Sequence, residues 1–469
     1  MPTATGDLKD PPAGATPTWA LAFIFLLALV PRLLLIHFSP EILLDTYGYE
    51  EIAYSIAHGC GIGQIKGIYN PVHDFSVRPL GEAPVPLSCN HFTPTYIRPP
   101  LYPAFLSIFY RMSLPDQAAR AAQGFLDSLV AVLLFFFATR YFNPWVGWFS
   151  GIFFALHPFI LVWPRYILTE TLFLDLFTVA IVVLAMGWVR GRWWVLFSAG
   201  LLLGLSTLCR TTSLLIPLFL PLMFLMPGQR KAWPTALKNI VLVVLGLGLA
   251  LAPWVIRNNR IFGQRFLVSG IQASNLWVAT VDSDPHHENT GASFWIIYDR
   301  VQKGDRYGIT DVPPGQPHPL TVIFGSSANA DPKNVLAAEK ILLREALNNI
   351  RRNPFLFVWH RLRAFPGFLF ESFYYFPGTL AEYRAQHAWF TVAAKILYNL
   401  LFHGAVFVLA LIGCIGMRQS IPKFLMALIL FYMVTVHLPM FHEVRYSLPM
   451  YPFLGILAGC GLQKLFSRT

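Results

Sequence analysis

Charge is what this sequence has least of. Lys, Arg, Asp and Glu together make up 13% of its 469 residues, about half of the roughly 25% that soluble domains carry. With 55% of residues hydrophobic, a water-soluble globule is excluded. Acid is scarcer than base: 24 Asp and Glu stand against 35 Lys and Arg, a formal net charge of +11. In a soluble protein that excess would suggest nucleic acid, but here the basic residues sit between apolar blocks. Anionic lipid and an anionic substrate are the expected partners, and no nucleic acid is. Cysteine is also sparse, and Cys60, Cys89, Cys209, Cys414 and Cys460 show no C-x-x-C spacing, which excludes a zinc module and a dithiol redox motif. There is no internal repeat and no low-complexity tract.

What is present is long hydrophobic runs. Apolar blocks near 18–37, 121–139, 145–163, 171–188, 193–209, 212–226, 237–256, 392–415, 422–438 and 446–462 each approach the roughly 20 residues that cross a hydrocarbon core. The expected fold is an all-α polytopic membrane protein of about ten transmembrane helices. The first block follows a polar start with little positive charge, contains Pro31-Arg32 and lacks a small-residue cleavage site, so it reads as a retained helix. Two mostly polar stretches interrupt the series and divide the chain into three parts. A module over 1–256 includes a first outer loop at 39–120; a second outer loop fills 257–391; the last helices occupy 392–469. Arg140, Arg190, Arg192, Arg230, Lys231, Lys238, Arg418, Lys423, Lys464 and Arg468 gather at one side, which the positive-inside rule makes cytoplasmic. Both long loops then lie outside, where Cys60 and Cys89 could pair if their geometry allows.

Leu101–Met112 is apolar but short, and Arg98-Pro99-Pro100 and Pro103 punctuate it. It is expected as a juxtamembrane or re-entrant helix. In the second outer loop, clusters at 282–291, 313–319 and 326–332 precede a helical run from Ala337 to Phe370. There Phe355, Trp359, Leu362 and Phe365 recur at helical spacing beside His360, Arg361 and Arg363, a pattern expected along the membrane interface.

Against that apolar background the few ionisable residues stand out. Asp45 lies just beyond the first span, with Tyr49 on an adjoining position of a helical face; it is a candidate general base, or a helix cap. Glu170 opens the fourth span in Trp163-Pro164-Arg165-Tyr166-Ile167-Leu168-Thr169-Glu170, on the same side as Asp45; an Arg165–Glu170 surface pair is the plainer alternative. Arg165, Arg210, Arg257, Arg260 and Arg445 break the positive-inside rule by falling at outer helix ends, and Arg98, Arg165, Arg210, Arg257 and Arg445 form a candidate anion site. A planar, permanently charged guanidinium suits phosphate, although such residues also reach out to lipid headgroups. Asp282-Ser283-Asp284-Pro285-His286-His287-Glu288 groups oxygen and imidazole donors, but consecutive residues in a Pro-containing loop seldom face one ion. No metal is assigned to it.

The order of these fragments resembles the GT-C superfamily of membrane glycosyltransferases, in particular the branch of protein O-mannosyltransferases and lipid A aminoarabinose transferases. The matching pieces are Asp45 with Tyr49, Arg98-Pro99-Pro100-Leu101-Tyr102-Pro103, Leu168-Thr169-Glu170, Pro253-Trp254-Val255-Ile256-Arg257-Asn258, Asn353-Pro354 and Arg445-Tyr446-Ser447-Leu448-Pro449. The resemblance does not extend over Phe266 to Ala338. The family often has His where Arg98 stands and an acidic pair where this chain has Asp45-Thr46, which leaves the acceptor open.

The resemblance implies a polyprenyl-phosphate-sugar donor, a lipid, glycan or protein acceptor and an extracytoplasmic site in a cell membrane, here expected to be a bacterial inner membrane. Asp45 would serve as catalytic base, with Glu170 orienting it or the acceptor. Arg257 and Arg445, with Arg98 or Arg165, would hold the donor phosphate beside Tyr49 and Tyr446. Transfer would invert the anomeric carbon and require no cofactor. The rival readings are a transporter or lipid flippase, against which stand the missing repeat and the one-sided ionisable residues, and a noncatalytic subunit that binds through the second outer loop.

Overall fold

The computed structural model describes residues 17–38, 44–65, 89, 92–226, 233–263, 269, 272–281, 294–307, 309, 312, 317–324, 332–370, 384, 386–416, 420–441 and 443–467. Each apolar block of the sequence becomes helix. The elements are α1 (Thr18–Phe38), α2 (Leu44–Ala57), α3 (Leu101–Arg111), α4 (Asp116–Tyr141), α5 (Pro144–Leu156), α6 (Pro158–Leu161), α7 (Thr169–Arg190), α8 (Trp193–Cys209), α9 (Ile216–Phe219) and α10 (Trp233–Phe262). There follow α11 (Gln272–Val281), α12 (Phe294–Gln302), α13 (Pro319–Phe324), α14 (Pro332–Arg352), α15 (Pro354–Leu369), α16 (Trp389–Tyr398), α17 (Ala405–Gly416), α18 (Ile421–His437) and α19 (Tyr451–Phe466). One antiparallel ribbon, β1 (Gly63–Ile65) with β2 (Phe92–Pro94), pairs Gly63 with Pro94 and Ile65 with Phe92.

This is an all-α polytopic membrane protein. Five helices among the described residues are long and apolar enough to cross a membrane: α1, α4, α7, α10 and the continuous run Trp389–Ile415. A sixth crossing is a pair of segments, Pro144–Leu156 and Pro158–Arg165, bent by 48° where Pro158 cannot donate to the helix ladder. The remaining apolar blocks form shorter helices, Trp193–Cys209, Thr211–Leu225 and Ile421–His437, together with the buried α19. The ten apolar blocks are all present, but only about half reach full spanning length as single helices. The expected short helix at Leu101–Met112 is α3.

Close packing sets the bundle. α8 lies against α10, where a Cβ on Gly200 would fall 2.2 Å from the Val243 carbonyl and one on Gly246 the same distance from that of Phe197. Small residues let the two backbones approach, as membrane helices require. Within the bundle an ion pair is fully enclosed: Arg32 of α1 pairs through Nε with Asp127 of α4. Its Nη1 donates to the carbonyls of Ala28 and Ala155, and its Nη2 to that of Phe154.

At the opposite helix ends from Arg140, Arg190, Lys423 and Lys464, the chain adds two caps. The first is α2, α3 and the ribbon, closed by a Cys60–Cys89 disulfide. The second is the unit α11–α14, with Trp277, Leu320, Ile323, Val335 and Leu342 buried. On α15, Phe355, Trp359 and Leu362 are exposed while Phe365 packs inward.

Candidate functional site

The acid that opens α7 gathers the site. Glu170 sits in the first turn of that helix, where unpaired N–H groups and the helix dipole favour a carboxylate. It is only 3% exposed. Arg210, where α8 ends and a turn begins, donates from Nη1 to Glu170 Oε1 at 2.6 Å and to Thr169 Oγ1 at 3.3 Å. Arg445, in the tight helical segment Val444–Met450, brings Nη1 within 3.6 Å of the same Oε1 and places Nε 2.7 Å from Glu443. The Tyr446 ring lies between the two cations, 4.9 Å from the Arg210 guanidinium carbon and 5.5 Å from that of Arg445. These residues line a partly open cleft with Phe173, Thr212, Leu448 and Pro449.

A second group lies beside it on α2. Arg98 stacks over the Tyr49 ring at 4.3 Å, and α2 admits the guanidinium because position 48 is glycine: a Cβ there would stand 2.7 Å from Arg98 Nε. Asp45 occupies the first turn of α2, one helical turn before Tyr49; its side chain lies outside the described residues. Tyr49 meets Tyr102 edge-on at 5.3 Å. The Tyr102 hydroxyl donates to Gln123 Oε1 at 2.8 Å, and Gln123 Nε2 donates to the carbonyls of Tyr166 at 3.0 Å and Pro164 at 3.3 Å. This chain of contacts runs from the α2 helix through α3 and α4 to the turn that leads into Glu170. Tyr49 interacts electrostatically with Arg210, and Tyr102 with Glu170, so the two groups form one neighbourhood.

The arginines named from the sequence therefore divide. Arg445 and Tyr446 line the cleft and Arg98 holds Tyr49. Arg165 does not pair with Glu170; it is buried and donates from Nη2 to the Tyr166 hydroxyl at 2.8 Å. Arg257 is placed elsewhere. Its Nη1 donates to the Thr95 carbonyl at 2.9 Å and to Asn258 Oδ1 at 2.8 Å, and its Nη2 to the Ile62 carbonyl at 2.6 Å. Trp254 and Phe262 flank its guanidinium at 4.7 and 5.5 Å. It ties the ribbon to α10.

Arg210, though noted among the outer-end arginines, was not ranked as a phosphate ligand, and Glu443 and Gln123 were missed. Gln123 had a signal, an amide in the middle of an apolar span. Among the described residues no cluster of three or more His, Cys, Asp or Glu could hold a metal ion. The string Asp282 to Glu288 lies outside them.

Comparison with known proteins agrees with this architecture. Residues 97–256 match the family model described as dolichyl-phosphate-mannose-protein mannosyltransferase. The fold matches that of the oligosaccharyltransferase AglB from the archaeon Archaeoglobus fulgidus, in complex with an inhibitory peptide and a dolichol-phosphate. That match has a TM-score of 0.51 at 14% identity, over 96% of this chain and 50% of that one. The apo form of the Archaeoglobus fulgidus oligosaccharyltransferase matches with a TM-score of 0.50 at 14% identity, over the same shares. The chain thus spans about half the length of the structures it matches, and at this identity the likeness is one of fold. No curated protein sequence matches the chain. The GT-C resemblance read from the sequence is borne out by the family model and the fold together.

Proposed function

We propose that this GT-C-type membrane protein is a glycosyltransferase that moves a sugar from a polyprenyl-phosphate-linked donor to an acceptor hydroxyl at the helix ends carrying Glu170, Arg210 and Arg445. The observation that carries the reading is the pair of guanidiniums meeting at one cleft on a single buried carboxylate. Two part-buried arginines at an apolar helix end are costly unless they serve an anion, and a forked guanidinium matches phosphate. Glu170 and Glu443 balance the two cations. Glu443 is the more exposed carboxylate, at 30% against 3% for Glu170, so a donor phosphate entering the cleft replaces Glu443 on Arg445 and leaves Glu170 as the fixed support.

In the proposed step the acceptor oxygen attacks the anomeric carbon as the carbon–oxygen bond to phosphate breaks. The bonding pair leaves on the phosphate oxygen, and the acceptor proton passes to Asp45. Arg445 and Arg210 stabilise the charge that grows on the phosphate; Tyr446 spaces them, and Tyr49 and Arg98 fix the face of α2 on which Asp45 stands. Single displacement inverts the anomeric carbon. Arg257 is assigned to holding the ribbon, and Arg165 to the turn before Glu170. The lipid tail lies between helices, and the basic ends at Arg140, Arg190, Lys423 and Lys464 face the cytoplasm. That orientation supports a site on the extracytoplasmic side of a cell membrane, for which a bacterial inner membrane is the preferred setting.

The deciding experiment measures sugar release from a radiolabelled polyprenyl-phosphate-sugar panel in membranes carrying the wild type or Asp45→Asn at matched expression. Transfer by the wild type that Asp45→Asn abolishes supports the reaction and its base. Equal transfer by both removes Asp45 from the mechanism.

A further inference from the structure

Outside the bundle, α11 touches the site at two points. Gln272 Nε2 donates to Thr211 Oγ1 at 3.2 Å, and Thr211 directly follows Arg210. The Phe441 amide donates to the Asn275 carbonyl at 3.2 Å, and Phe441 lies just ahead of Glu443 and Arg445. A single turn of α11 thus joins the segment bearing one cation to the segment bearing the other. That turn is itself held from α14: Glu339 Oε2 accepts from the Ala273 amide at 2.8 Å, and Oε1 from the Ser274 amide at 3.3 Å. Both belong to the N–H donors that a helix start leaves unpaired, and a carboxyl there is a strong cap. Glu339 is buried and far from the cleft in sequence, yet the turn it holds touches both the segment bearing Arg210 and the segment bearing Arg445.

We propose that Glu339 is a positioning residue which, by capping α11, sets the spacing of Arg210 and Arg445 around Glu170 and so the affinity of the cleft for a lipid-linked phosphodiester. The inference rests on the reading of that cleft as the donor-phosphate site.

Protonation supplies a readout that a merely structural cap would not move. Burial pushes the Glu339 carboxyl up to about 7, opposed by the bonds from Ala273 and Ser274. Of the elements packed against it, α11 and α13 carry no charged residue. α15 carries His360, Arg361 and Arg363, and α14 itself carries Lys333, Lys340, Arg344, Glu345, Arg351 and Arg352, while what acts on the Glu339 carboxyl is burial and the bonds from Ala273 and Ser274. A carboxyl raised in the folded state contributes stability that is complete below its ordinary value of 4.5 and is lost as pH rises through about 7. The seam between α11 and α14 therefore loosens above neutrality.

The test is binding of a polyprenyl methyl phosphate to the full chain in nanodiscs between pH 6 and 8. This probe carries the donor's lipid and phosphodiester without its sugar; its single charge does not titrate in that range, so an inflection belongs to the protein. Wild-type affinity is expected to fall about fivefold across the range. Glu339→Gln, permanently neutral but still an acceptor, should keep the affinity seen at pH 6 with no inflection. Glu339→Ala should lose about tenfold at every pH.

Gln272→Ala, which cuts the bond to Thr211 without touching the buried cap, should weaken binding severalfold, and it decides the matter alone if Glu339→Ala does not fold. Wild-type affinity and pH profile in the variants that fold, while Arg445→Ala loses binding, would overturn the role of Glu339 and leave the phosphate site standing. Undiminished binding by Arg445→Ala would remove the phosphate site itself, and the inference with it.

Discussion

Two carboxylates in this protein are paired with arginine inside an apolar bundle, and they are used in opposite ways. At Asp127 four of the five N–H donors of Arg32 are taken: Nε by the carboxylate, both on Nη1 by the carbonyls of Ala28 and Ala155, and one on Nη2 by that of Phe154. Both side chains are fully enclosed. At Glu170 two guanidiniums converge on one oxygen, 12% and 20% of their surface remains open, and a cleft lies against them. The first arrangement closes α1 onto α4 and the α5 end and leaves nothing for a ligand. The second holds two cations at a short distance that their mutual repulsion opposes, with Glu170 as the counter-charge. Enclosure marks a structural pair, and shared, half-open cations mark a site.

The largest expected effect tests the structural side. Arg32→Ala strands the buried Asp127 carboxylate, which has Asp175 beside it, and removes the partner of three carbonyls. A loss of about 3–5 kcal/mol is expected, read as a collapse of the melting temperature in detergent and of folded protein in membranes. Arg32→Lys restores the charge but not the fork, and should recover only part. If Arg32→Ala melts as the wild type does, enclosure does not mark a structural pair. Arg445→Ala should behave in the reverse manner. Glu170 keeps Arg210, so the melt stays near wild type, while sugar transfer falls about 100-fold, the usual cost of removing one group that meets developing charge. A large fall in melting temperature with proportionate loss of transfer would instead make this pair structural too.

How far the sequence reveals these roles depends on how local the physics is. The ten apolar blocks were legible because a span is defined by its own composition. Glu170 and Arg445 stand out in the sequence because a charge at an apolar helix end needs a reason. Partner choice was not. Arg257 stands in the last two turns of its helix, in Trp254-Val255-Ile256-Arg257, and Arg445 at the start of its own, and nothing in either string says which carbonyls or carboxylates it will meet. Arg257 meets Ile62 and Thr95 only because the Cys60–Cys89 disulfide and the ribbon fold back beneath it. The pairing of Cys60 with Cys89, left open by the sequence, is settled by the same fold. Gln123 was overlooked because an amide inside a span reads as a minor blemish until Tyr102, Pro164 and Tyr166 surround it.

That division of the arginines gives a smaller effect that sharpens the comparison. Arg257→Ala removes two charge-assisted bonds to ribbon carbonyls, each worth about 1.5–3 kcal/mol, without touching the cleft. The ribbon should open more often, seen as a roughly tenfold faster reduction of Cys60–Cys89 by an added thiol. Transfer should fall far less than in Arg445→Ala. Equal losses of transfer in the two variants would return Arg257 to the phosphate site.

The smallest effect concerns an imidazole on which burial outweighs its charged neighbours Asp305 and Arg306. His318, in the unit built from α11 to α14, is packed against Trp277 at 5.4 Å, and its Nδ1 accepts from the Leu320 amide at 3.1 Å. Burial pushes its imidazole down to about 4 from an ordinary value of 6.5. The sign follows from which state takes the proton first. Above 6.5 both states are neutral and the contribution is complete; as pH falls from 6.5 toward 4 the unfolded unit protonates and the folded one does not, so stability declines across that window. Amide exchange in α11 and α14 should quicken as pH falls through it, after correction for intrinsic rates. His318→Gln, which titrates in neither state, should flatten that dependence.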